Sequence, residues 1–163
     1  MRNEEVLSPA EHGYDISRDV VSSFLRSLTH GDIEAALALV GDDIVYTNVS
    51  LATLRGKQRT AAALRLLNNR WAGMKVQVDN IAANGTIVLT ERIDEIRVGP
   101  LFIHSWVCGR FEVRGGQIVV WRDYFDFFAT AKACARGLAA IVFPRLRIRL
   151  TRGRDSHHSY LCR

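Results

Sequence analysis

Cysteine is scarce in this chain and wrongly spaced for its structural uses: Cys108, Cys134 and Cys162 are odd in number and form no Cys-x-x-Cys pair. Neither a disulfide framework nor a zinc site is suggested, and unpaired thiols fit a reducing cytoplasm. Long apolar runs are missing too, none approaching the roughly 18–20 residues that a membrane-spanning helix needs. The opening MRNEEVLSPAEHGYD is charged throughout and lacks the apolar centre of a secretory signal. Phosphate loops, G-x-G-x-x-G turns, H-E-x-x-H helices and G-x-S-x-G elbows are likewise absent, so nucleotide, nicotinamide, zinc and acyl-serine chemistry lack support. No cofactor and no metal is expected.

What is present is ordinary globular material, with 48% apolar and 24% charged residues among 163. A chain of this length forms one domain and buries roughly two-thirds of the surface its unfolded form exposes. Its net charge of +5 is not spread evenly. Arg145, Arg147, Arg149, Arg152, Arg154 and Arg163 face only Asp155 in the last stretch, so the tail carries the whole excess and the body is neutral. Nucleic acid is therefore not an expected partner; a solvated extension and a contact with acidic membrane lipid both remain open for the tail.

Apolar spacing divides the chain into a polar leader over 1–15, a domain over 16–144 and the basic tail over 145–163. Val20, Val21, Phe24, Leu25 and Leu28 recur at helical spacing, predicting a helix over 16–28. Asp32 suits the N-cap of a second helix that runs to Gly41, and a third is expected from Thr60 to about Asn69. Between them a short strand covers 44–49, followed by a loop through Arg55-Gly56. Strands over 74–82, 86–98, 101–113 and 117–125 are separated by Asn84-Gly85, Gly99-Pro100 and Gly115-Gly116, which read as hairpin turns. A last helix from Phe127 to about Phe143 ends at Pro144. Helices first and a long meander after them predict an α+β domain, its curved sheet forming a cone over the N-terminal helices with a C-terminal helix closing the order.

Alternation along strands then groups side chains by face. Ile44, Tyr46 and Asn48 share one; Val88, Thr90, Arg92, Asp94 and Ile96 share another; Val119, Trp121, Asp123 and Phe125 share a third. Each set places polar groups among apolar ones, and all three can converge in one pocket. Ionised groups on an inward face are costly unless paired, and one guanidinium can donate to two carboxylates in its fixed fork. An isolated Arg-x-Asp on a strand is more often a structural ion pair, so this spacing alone does not make a site.

Tyr46-Thr47-Asn48, Glu91-Arg92-Ile93-Asp94 and Trp121-Arg122-Asp123-Tyr124-Phe125-Asp126 resemble the three signature segments of the limonene-1,2-epoxide hydrolases, in the same order. The resemblance spans roughly residues 16–143 and implies a cone-shaped domain of the nuclear-transport-factor-like, or SnoaL-like, superfamily and a homodimer. It further implies that Asp123 acts as general base on a water held by Tyr46 and Asn48. Asp94 would protonate the epoxide oxygen, and Arg92 would orient both carboxylates. The chemistry is coherent, because ring opening needs a nucleophile on carbon and a proton on oxygen, hence one charged and one neutral carboxylate.

Trp121, Phe125, Leu101 and Trp106 are read as pocket wall, with plain core the competing reading. His104 either reaches the pocket or is a satisfied core or interface histidine. Arg122, Tyr124 and Asp126 fall on the face opposite Asp123, where sheet packing or a dimer contact is expected. The apolar stretch ending at Pro144 and the alternating Arg-Leu-Arg-Ile-Arg-Leu after it are longer than a small terpene epoxide requires, so a fatty acyl or sterol epoxide is as good a candidate as limonene oxide. Two other activities fit the same cone: a ketosteroid-isomerase-like isomerase or cyclase, and a non-catalytic lipophile carrier. Neither requires an arginine between two aspartates.

Overall fold

A computed structural model describes residues 9–49 and 51–126. The last helix and the basic tail expected from the sequence lie outside them. Helix α1 spans Pro9–His30, α2 Ile33–Ala38 and α3 Lys57–Leu66, while strands β1 to β6 span Val40–Asn48, Leu54–Arg55, Ala72–Asn84, Ile87–Val98, Leu101–Arg114 and Gln117–Phe125. The six strands form one sheet in the order β2-β1-β6-β5-β4-β3. All neighbours are antiparallel except β1 and β6, whose parallel pairing sets Tyr46 beside Trp121 and Asn48 beside Asp123. This mixed sheet packed on N-terminal helices is the α+β architecture expected.

The helix α1 packs on the sheet because Val21, Phe24, Leu25 and Leu28 make one apolar stripe, and all four are buried. They meet Val88, Phe111, Val113, Ile118 and Trp121 from β4, β5 and β6 in the main core. Phe24 stands edge-on to Trp121 at 5.1 Å and to Phe111 at 6.2 Å between ring centroids. At the end of α1, Thr29 Oγ1 donates to the Val76 carbonyl and accepts from the Val76 N–H, both at 3.1 Å, which ties the helix to edge strand β3. Among the described residues no helix is long and apolar enough to cross a membrane.

The hairpin turns fall where the sequence puts them. Gly115 and Gly116 both have positive φ, 55° and 76°, as a two-residue hairpin loop demands. Several boundaries differ. Helix α1 begins at Pro9, inside the stretch read as a polar leader. Asp32 does cap α2, accepting from Ala35 N–H at 3.0 Å, but that helix stops at Ala38 because Val40 pairs with Ile118 in the sheet. Leu54 and Arg55, expected in a loop, form a two-residue strand against Tyr46 and Val45. A bulge in β6 against β5 leaves Val119 outside the regular pairing. Ile118 rather than Val119 consequently fills the core next to Trp121.

Candidate active site

Arg92 is the centre of the site and is completely buried. It stands on β4, with Thr90 and Asp94 two residues to either side and so on the same face. Its Nε donates to Asp94 Oδ1 at 2.9 Å and its Nη2 to Asp94 Oδ2 at 3.3 Å. The same Nη2 lies 2.7 Å from Asp123 Oδ2 on β6, and Nη1 donates to Thr90 Oγ1 at 3.1 Å. One guanidinium thus bridges both carboxylates, and the ring of Phe111 lies 5.9 Å beneath it. A buried charge with so many partners is satisfied, whereas the same group with one partner removed would not be.

Asp123 has a different environment from Asp94. Its Oδ1 is buried and has no hydrogen-bond partner among the described residues, so that oxygen keeps its full capacity to accept a proton. The parallel register brings Asn48 alongside, and the Val49 N–H donates to the Asp123 carbonyl at 2.9 Å. Asn48 Nδ2 donates to the Tyr46 hydroxyl at 2.7 Å, and the Tyr46 ring stacks on Trp121 at 3.9 Å. Having accepted from Asn48, the Tyr46 hydroxyl retains its own proton to donate.

The electrostatics follow from burial. Burial lifts Asp94 to about 6; Arg92 opposes the rise and Asp123 adds to it. Asp123 is raised as well, again by burial, with Arg92 opposing it and Trp121 opposing it more weakly. The Trp121 indole N–H itself makes no well-formed hydrogen bond to a described residue. Burial alone would lower Arg92, but the charges of Asp123 and Asp94 outweigh it and hold the guanidinium firmly protonated. Burial and the charge of Asp123 push the Tyr46 hydroxyl above its ordinary value, keeping it neutral and a donor. Two coupled carboxyl groups around a fixed cation can hold one proton between them.

Of the residues singled out from sequence, Arg92, Asp94, Asp123, Tyr46 and Asn48 come together as described. Trp121 is buried under them, between Tyr46 and Phe111. Phe125 shares the face of Asp123, pairing with Val107, and Leu101 shares the face of Asp94 but lies at the far end of the β4–β5 hairpin, opposite Val98. His104 and Trp106 do not face Asp94. Unbroken alternation in β5 turns both to the opposite side of the sheet, where His104 Nε2 lies 2.8 Å from Glu95 and Trp106 Nε1 donates to Glu91 at 3.1 Å. Thr90 was visible on the right face, yet nothing in sequence marked it as a partner of Arg92. Among the described residues, no group of three or more His, Cys, Asp or Glu side chains is placed to hold a metal ion.

The fold is that of the nuclear-transport-factor-like and ketosteroid-isomerase-like proteins. A putative ketosteroid isomerase from Kribbella flavida superposes with a TM-score of 0.59 over 69% of this chain and 79% of its own, at 14% identity. That likeness concerns fold alone. Residues 16–136 match the limonene-1,2-epoxide hydrolase catalytic domain, and the chain belongs to that family. It is 45% identical over 143 residues to epoxide hydrolase EphG of Mycobacterium tuberculosis, covering 88% of this chain and 95% of that protein. The structure of an M. tuberculosis LEH-like epoxide hydrolase superposes with a TM-score of 0.77 at 44% identity, over 80% of this chain and 98% of the other. The chain is accordingly an enzyme of the epoxide hydrolase class.

Proposed function

We propose that this enzyme adds water to a lipophilic epoxide in one step, with Asp123 as general base and Asp94 as general acid. The observation that carries the assignment is the unshared Asp123 Oδ1 beside Tyr46 and Asn48. A water there has an acceptor for its proton and neighbours to fix its direction. Asp94, lifted to about 6, holds a proton for the epoxide oxygen. As the water oxygen bonds to a ring carbon, that carbon's bond to the epoxide oxygen breaks. The water proton passes to Asp123, and the proton of Asp94 passes to the departing oxygen. One proton has then moved from Asp94 to Asp123, and its return by exchange with solvent restores the resting state.

The apolar surroundings of Trp121 and Phe125 suit a lipophilic substrate, of terpene, fatty acyl or sterol kind. We place the enzyme in the cytoplasm, where its cysteines stay reduced. We also infer a homodimer through the outer face of the sheet. That face leaves Leu89, Trp106 and Tyr124 exposed at 55%, 52% and 42%, a concentration of large apolar side chains that a second copy would cover. The function is tested by assaying diol formation, without added cofactor, from limonene oxide, a long-chain fatty acyl epoxide and a sterol epoxide. Turnover of at least one is expected; failure on all of them would remove the assignment.

A further inference from the structure

Arg92 stands on β4, but one of its two acidic partners stands on β6, with β5 between them. Adjacent strands are about 4.8 Å apart, so the guanidinium must extend across the whole width of β5 to reach Asp123. The residue it crosses is fixed by register. Thr90 of β4 pairs with Gly109 of β5, and Gly109 in turn pairs with Asp123 of β6, so these three lie in one row across the sheet on the face of Arg92. Glycine is the only residue with no side chain to stand in that row. A Cβ built on Gly109 would collide with Arg92 Nη1, come within 2.5 Å of Thr90 Oγ1 and within 2.9 Å of the Phe111 ring. Its backbone is not in the positive-φ region, so conformational freedom does not account for glycine here; space does.

We propose that Thr90 and Gly109 are positioning residues for the hydrolysis, together forming the seat that holds Arg92 in the one orientation that bridges Asp94 and Asp123. Gly109 opens the channel across β5, and the Thr90 hydroxyl accepts from Nη1 and stops the guanidinium from pivoting within it. Without Thr90 Oγ1, Nη1 is a buried donor without a partner, and rotation to satisfy it breaks the paired bonds to Asp94. A lone glycine inside an apolar strand is the sequence sign of such a close approach.

The seat rests on reading Arg92 as the bridge in an epoxide hydrolase, so its test compares variants with a wild type already shown to make diol. Thr90→Val keeps the shape and removes the acceptor. It is expected to lower kcat by about tenfold or more with KM within about twofold, while Thr90→Ser, which keeps the oxygen, stays within about threefold of wild type. Because Arg92 holds Asp94 down, loosening it should move the fall of kcat on the alkaline side to higher pH in Thr90→Val and leave it in place in Thr90→Ser. Gly109→Ala, checked for native circular dichroism, is expected to lose about a hundredfold or more in kcat. Thr90→Val with wild-type kcat and an unmoved pH profile would overturn the seat, as would a folded Gly109→Ala of normal activity. Should Gly109→Ala not fold, the Thr90 pair decides alone. A wild type inactive on every epoxide would instead remove the functional assignment itself.

Discussion

The division of labour proposed for the two aspartates rests on single atoms. Both Asp94 oxygens accept from Arg92, while Asp123 shares only Oδ2 and leaves Oδ1 open. Exchanging either carboxylate for an amide removes a proton-transfer partner that the other, held on a different strand, cannot replace. Asp94→Asn and Asp123→Asn should each lower kcat by about a thousandfold or more in steady-state assays, and a variant keeping more than about a tenth of wild-type turnover would refute its role. The sign of the pH dependence follows from the same assignment. Asp94 must carry its proton to act, so kcat should fall as pH rises through about 6. Asp123 must have lost its proton, and burial raises its pKa as well, so kcat should fall again as pH drops through that raised value. The residues proposed to react were legible in the sequence because strand alternation groups them and because three short segments resemble one family. Thr90 was not, since it carries no charge and its role depends on a cross-strand row that only pairing creates; Gly109 left the mark of a lone glycine inside a strand, but only the pairing shows that Arg92 crosses there.

At the level of elements, the site depends on β6 being held at once by β1, β5 and α1. Phe24 is the contact through which α1 presses on Trp121 and Phe111, directly beneath Arg92 and Tyr46. Truncating a fully buried phenylalanine removes transfer energy and leaves a cavity. Phe24→Ala should therefore cost about 3–5 kcal/mol in urea unfolding, and a loss below about 1 kcal/mol would mean that α1 is not the lid of this core. The meander from β3 to β6 was legible because its turns carry glycines and its strands alternate. The ends of α2 and the start of β1 were not. Val40 and Gly41 continue a plausible helical pattern, and only pairing of Val40 with Ile118 draws them into the sheet. The bulge at Val119 had no sequence mark either, and it exchanged Ile118 for Val119 in the core. His104 and Trp106 were misplaced for a simpler reason: their shared face was seen correctly, but which side of the sheet that face occupies is set by the register of β5 with β4.

For the whole molecule, the two sides of one sheet differ: Arg92 and the two buried aspartates stand on one, and exposed Leu89, Trp106 and Tyr124 on the other, where we infer the contact between two copies. Trp106 is exposed yet anchored by Glu91, which also accepts from Asn80, so a large apolar surface is held in place rather than left loose. Trp106→Glu should shift the protein from dimer to monomer in sedimentation equilibrium with its circular dichroism unchanged. A wild type that sediments as a monomer would contradict the inferred assembly. Whether Asp123 is a base or a nucleophile decides the route of the oxygen atom. If Asp123 is a base, water attacks carbon directly; if it were a nucleophile, an ester would form first and water would then cleave it. A single turnover with enzyme in excess, run in oxygen-18 water, separates the two. Direct attack places the label in the diol during that first turnover and leaves Asp123 unlabelled. An unlabelled first-turnover diol, with oxygen-18 recovered in the peptide containing Asp123, would contradict it.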